Sequence, residues 1–143
     1  IISQVALNLK IVINDQATQQ IAIRSRGTPR IAIRLLKRVI DFSIVSYNGL
    51  ITKNIVMESL EKLKIDNLGL DEMDRKYMTC IQVNFDGGPV GVENISSALL
   101  EEKDIIEDVV EPFLIQQGLV QRTSRGRILS KKGMDHLDFN KSL

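Results

Sequence analysis

After Gly118 the chain changes its period, and that change limits the folds open to it. Upstream, apolar residues recur at helical spacing. Downstream, Leu119-Val120-Gln121-Arg122-Thr123 and Arg127-Ile128-Leu129-Ser130 read as two short strands around Ser124-Arg125-Gly126, a hairpin turn. A last helix, about Lys131 to Phe139, closes the chain. Before the hairpin, a helix is expected from Asp71, with Asp74 three residues on as in a capping box. Its apolar stripe is Tyr77, Ile81 and Phe85, and Asp86-Gly87-Gly88-Pro89 ends it. A short helix follows over roughly Val92 to Leu100. A longer one runs from about Lys103 to Gln117, with Pro112 placed to kink it or to mark its restart. Three helices and then a hairpin describe a winged helix.

Residues 1–66 read as short helices. Val5, Leu9 and Ile13, then Ile21 and Ile23, supply apolar positions, and Asn14-Asp15-Gln16 caps a helix. The strongest local punctuation is Gly27-Thr28-Pro29-Arg30. Gly27 can break one helix, Thr28 can cap the next, and Pro29 suits a first turn because its missing N–H costs nothing there. Ile31, Leu35, Val39 and Phe42 then recur on one side, with Arg34, Lys37, Arg38 and Asp41 on the other. Thr52 should cap one more helix, with Ile55, Val56, Leu60 and Leu63 inward. Polar turn formers at Asp66-Asn67-Leu68-Gly69 mark a linker. The expected fold is mainly α: a small helical domain over 1–66, then a winged helix over 67–143 with a short β-hairpin wing.

A length of 143 residues accommodates two small domains, and 43% apolar with 26% charged residues is a globular balance. The net charge of +1 decides nothing about nucleic acid, so the distribution of charge must. The single cysteine, Cys80, cannot form an internal disulfide, which fits a reducing cytosol. No apolar stretch approaches the ~18 residues of a membrane span, and no basic leader precedes an apolar run. The chain opens at Ile1 without Met, as expected of a start inside a structured element of a longer protein.

Arg30 stands in the first turn of a helix, where the positive end of the dipole disfavours a cation by ~0.3–1 kcal/mol. A shared anion would explain it, the helix N-terminus and the guanidinium both addressing a phosphate. The alternative is an Arg that simply points to solvent. The wing carries five basic residues in eleven positions, Arg122, Arg125, Arg127, Lys131 and Lys132, and no acidic one. A hairpin presents such residues outward, where they can straddle a nucleic-acid backbone; the alternative is a solvated loop. The helix that would normally enter the major groove carries Glu101, Glu102, Asp104, Glu107, Asp108 and Glu111 against Lys103 alone. Phosphates repel such a helix, so sequence-specific reading of base edges is disfavoured. Any DNA contact should come from the wing and Lys103.

No G-x-x-x-x-G-K-[ST] is present, Gly87 to Gly91 lack the spacing of a nucleotide loop, and His136 has no partnered nucleophile. Catalysis cannot be argued from these residues.

Four stretches carry a resemblance. They are Arg24 to Ala32, Gly69 to Tyr77, Gly87 to Glu93, and Ile106 to Gly118 running into Gln121-Arg122-Thr123 and Arg125-Gly126-Arg127. In this order, and spanning nearly the whole chain, they resemble the RuvB family of Holliday junction branch-migration motors, which are AAA+ ATPases. The resemblance implies a helical AAA+ lid over 1–66 and a DNA-contacting winged-helix head over 67–143. It gives Arg30 the role of sensor of the ATP phosphates and places Pro29 near the adenine. Arg122 and Arg127, with Arg125 in the same wing, would contact junction-arm DNA, and Lys103 falls where an Arg that touches DNA is common.

The family further implies ATP with Mg held mostly by a large domain outside this chain. It implies RuvA bound through that domain, RuvC in the resolving complex, a hexameric ring around duplex DNA, and a cytoplasmic location. The 143 residues alone should not hydrolyse ATP and should bind DNA weakly. Departures from the pattern are Ile33 for Asn, Ser124 for Pro, and Leu100-Glu101-Glu102-Lys103 for Gly-Glu-Glu-Arg. Lysine keeps the charge of arginine but loses its bidentate geometry, which weakens the reading of Lys103. Apart from the resemblance, the competing readings are a regulator's winged-helix module and a winged helix used for protein contacts.

Overall fold

The computed structural model describes residues 2–8, 11–25, 28–47 and 50–141, with the backbone alone at 44–47, 140 and 141. The chain divides into two compact units, Ile1–Asp71 and Glu72–Leu143. No described helix is long and apolar enough to cross a membrane.

The first unit contains α1 (Ile2–Asn8), β1 (Val12–Ile13), α2 (Asp15–Ser25), α3 (Pro29–Tyr47), β2 (Leu50–Ile51) and α4 (Lys53–Lys62). Its helices start where capping chemistry places them. Ala17 N donates to Asn14 Oδ1 at 2.9 Å, and Ile55 N donates to Thr52 Oγ1 at 3.4 Å. Thr28 directly precedes α3, and its carbonyl accepts from Ala32 N at 3.0 Å. Leu9, Arg26 and Gly27 lie outside the described residues. Ile21, Ile31, Leu35, Leu36, Val39, Val56 and Leu60 form the core. Ile23 departs from expectation and is 68% exposed, because two residues along a helix turn it away from the face that Ile21 buries. β1 and β2 pair in parallel, Val12 with Leu50 and Ile13 with Ile51. Strands of two residues are too short to show a period of two in sequence.

The expected linker is ordered against this unit. Asp66 Oδ1 accepts from Leu68 N at 2.9 Å and Leu70 N at 3.0 Å, an aspartate turn. Leu70 is buried, and Asp71 Oδ2 pairs with Arg38 Nη2 at 2.7 Å. The division between units therefore falls at Asp71/Glu72, a few residues beyond the composition break.

In the second unit, α5 (Glu72–Thr79) runs into a π-helical turn, Cys80–Asn84. Next come α6 (Val92–Leu99), α7 (Lys103–Ile105), a second π turn (Ile106–Val110) and α8 (Glu111–Gln116). The hairpin β3 (Val120–Thr123) and β4 (Gly126–Leu129) and the final helix α9 (Lys131–Lys141) complete it. The helix restarts at Glu111, one residue before Pro112. The π turn makes the restart smooth: Glu111 N donates to Ile106 O, and the proline falls in a first turn where its lack of an N–H is harmless. Tyr77, Met78, Ile81, Ile95, Ile106, Leu114 and Leu119 fill the core.

The hairpin pairs Val120 with Leu129, Gln121 with Ile128, Arg122 with Arg127 and Thr123 with Gly126. Only Ser124 and Arg125 make the turn; Gly126, expected within it, belongs to β4. Val90 bridges to Arg127 on the outer edge, with Arg127 N donating to Val90 O at 2.7 Å. That close passage requires glycine next door: Gly126 has φ +127°, and a Cβ there would sit 2.5 Å from Val90 O.

Candidate nucleic-acid and nucleotide interfaces

Directly opposed residues in an antiparallel pair project to the same face, so Arg122 and Arg127 emerge side by side. Two guanidiniums so close need a counter-charge, and Glu111 supplies it from the start of α8. Arg127 grips this carboxylate as a fork, Nε to Oε2 at 2.8 Å and Nη2 to Oε1 at 3.1 Å. Arg122 adds Nη2 to Oε1 at 2.7 Å, and the Tyr77 hydroxyl, from α5, donates to Oε2. Glu111 is completely buried. Burial pushes its carboxyl up, but the bonds from Arg127, Tyr77 and Arg122 outweigh this and hold it below the ordinary range. Burial first, and then the bond to Glu111, push the Tyr77 phenol up.

The wing residues are therefore not equivalent. The Arg127 side chain is 12% exposed and turned inward onto Glu111, contrary to the outward placement expected of it. The register puts it on the face where a buried carboxylate demands a partner. Arg122 is 46% exposed and makes a single bond to the carboxylate. Arg125 is exposed at the tip, where Thr123 Oγ1 braces the turn by donating to Gly126 O at 2.7 Å and accepting from Arg125 N at 3.2 Å. Lys131 is exposed, and Lys132 Nζ caps the end of α8 through Gln117 O at 2.8 Å.

Lys103 lies 3.2 Å from Glu93 Oε1 and 3.7 Å from Glu107 Oε1, and these carboxylates push its pKa up, Glu93 foremost. Glu102, Asp104 and Asp108 are exposed along the acidic helix, as expected of a surface that DNA phosphates avoid. Sequence reasoning placed Glu111 on that acidic face and missed its role. The π turn is the reason, because an extra residue in one turn rotates everything after Val110 by ~100° from a regular helix.

In the first unit, Arg30 is exposed in the first turn of α3, and no hydrogen bond or ion pair joins it to another described residue. Beside that turn is a cleft of about 280 Å³ whose wall includes Ile2, Ala22, Ser25, Thr28, Pro29 and Ala32. A mostly apolar wall next to an available guanidinium at a helix N-terminus fits one side of a nucleotide, base to the wall and anion to the arginine. Among the described residues no three or more His, Cys, Asp or Glu converge on a metal position. His136 and Cys80 are buried.

Comparisons with known proteins agree along the chain. Residues 1–66 match the RuvB AAA lid domain, and residues 67–138 match the RuvB C-terminal winged helix domain. The chain is 52% identical over 125 residues to the Holliday junction branch migration complex subunit RuvB of Paracoccus denitrificans, covering 87% of this chain and 37% of that one. To the same subunit of Paramagnetospirillum magneticum it is 46% identical over 140 residues, covering 98% and 40%. The chain thus spans 37–40% of the length of these relatives. The solved structure of the Thermotoga maritima RuvB Holliday junction branch migration motor is 45% identical and superposes with a TM-score of 0.65, covering 96% of this chain and 46% of that one. With a helical lid followed by a winged-helix head, the chain belongs to the RuvB family.

Proposed function

We propose that this chain is the lid and head of an ATP-driven motor that migrates Holliday junctions in recombination and repair, residues 1–66 acting as lid and 67–143 as head. The observation that carries this reading is the braced basic hairpin on an otherwise acidic head: Arg125 exposed, Arg122 half-exposed, and the neighbouring helix lined with carboxylates. Such a surface meets the DNA backbone and ignores base sequence, as a translocating motor requires and a sequence-reading regulator does not. Lys103, already shared between two glutamates, is a secondary contact.

Arg30 is the lid's sensor of ATP phosphates, with Pro29 toward the adenine. When bound, ATP with Mg supplies the energy of translocation, held mostly by a large domain outside these residues. The whole protein works in the cytoplasm as a hexameric ring around duplex DNA, with RuvA recruited through that domain and RuvC joining in the resolving complex.

Fluorescence anisotropy on labelled linear duplex and four-way junction tests the reading. The expected result is weak, sequence-independent binding that falls steeply with salt and weakens in Arg122→Ala/Arg125→Ala. Preference for one sequence, or indifference to salt, would return the regulator or the protein-contact reading. A phosphate-release assay on the pure chain should show no turnover, since no phosphate-cradling loop is present; measurable hydrolysis would overturn the assignment of ATP chemistry to another domain.

A further inference from the structure

Building on the wing as the DNA contact, we propose that Glu111 is its positioning residue: it fixes Arg127 as an internal anchor and leaves Arg122 as the cation offered to a phosphate beside Arg125. A completely buried carboxylate must have its charge matched in place. Arg127 does so with two bonds from one guanidinium, and its backbone is tied to Val90. Little of it is left to reach a ligand. Arg122 gives the carboxylate one N–H bond, and about half of its side chain faces water. A phosphate oxygen can therefore join it without breaking the pair. Tyr77 holds the carboxylate from the opposite element, α5, so the wing is referenced to the helices as well as to its own strands.

Charge and position make opposite demands here, which gives the proposal its test. Glu111→Gln adds one unit of net positive charge next to the wing. Were charge alone at work, affinity for DNA would rise. If Glu111 positions the wing, affinity falls, because Arg122 and Arg127 lose their common partner and repel each other. One lost phosphate contact flattens the slope of log K against log salt by about 0.9 and weakens binding about five- to tenfold at 0.1 M salt.

The experiment measures anisotropy of labelled duplex over several salt concentrations with the 143-residue chain and its Glu111→Gln, Tyr77→Phe and Arg122→Ala variants. Circular dichroism of each sample reports folding, and arginine Hε–Nε NMR spectra report protection of Arg127. The expected results are a slowly exchanging Arg127 Hε, a flatter slope in Arg122→Ala, and weaker binding by folded Glu111→Gln with that protection lost. Folded Glu111→Gln that binds as tightly as wild type or tighter overturns the proposal, as does a freely exchanging Arg127 Hε in the wild type. Should Glu111→Gln unfold, Tyr77→Phe decides: weaker binding at native circular dichroism supports the proposal, and unchanged binding overturns it. A protected Arg127 in a wild-type chain that does not bind duplex would instead sink the wing as DNA contact, and the positioning role with it.

Discussion

Glu111 keeps its charge with no exposed surface because three donors from three other elements close on it. The pH dependence follows from the direction of its shift. A carboxyl that titrates lower in the folded chain than in the unfolded one stabilises the fold above the ordinary glutamate range. That stability is lost as pH falls through the lowered value. Thermal melts should therefore hold steady near neutral pH and decline below about pH 4.3, the unperturbed glutamate value. Glu111→Gln should melt lower at neutral pH, by about 3 kcal/mol, and show a shallower acid decline because its share of the linkage is gone. Equal acid limbs in the two proteins would mean that Glu111 is not what couples this fold to pH. At this scale the sequence was half legible. Arg122, Arg125 and Arg30 stand out by type and place, whereas the inward turn of Arg127 depends on a partner sixteen residues away that only the fold delivers.

At the scale of elements, periodicity located each larger helix and the hairpin, and the misplacements came from irregular backbone. Gly126 reads as a turn residue but sits in a strand, and it is glycine because the chain segment beside it passes too close for a Cβ. The turn after α6 shows the converse. Leu100 has φ +55° and is 91% exposed, a left-handed helix end that glycine occupies more readily, and the family resemblance sets glycine there. A left-handed leucine costs about 1–2 kcal/mol, and the extra freedom of glycine in the unfolded chain returns part of that. Leu100→Gly should accordingly stabilise the chain by about 0.5–1 kcal/mol in urea melts, with wild-type DNA binding. Destabilisation would show that the leucine has a packing role that its exposure hides.

For the molecule as a whole, charge is divided unevenly. Residues 1–71 carry ten Lys and Arg against six Asp and Glu, and residues 72–143 carry nine against twelve. The unit proposed to touch DNA is thus the acidic one, so its contact must rest on local clustering, and a net charge near zero conceals this. Composition revealed the polar break at 66–69, but the boundary between compact units needs the packing of Leu70 and the Arg38–Asp71 pair, which no local pattern announces. A chain of residues 1–71 should therefore outlast one of residues 1–66 in urea by about 2–3 kcal/mol, chiefly for the buried leucine. Equal midpoints would place the boundary back at the composition break.

The hairpin is fastened along its outer edge at Val90, across its face through Glu111 at the Arg122–Arg127 pair, and at its tip by Thr123. A ribbon held only by its own two strands would bend when its end was dragged sideways. Fastened in this way, it acts as a stiff handle: a sideways tug on Arg125 reaches α5 and α8 through the carboxylate and is not dissipated in the loop. Whatever turns the helices of this unit turns the grip with them.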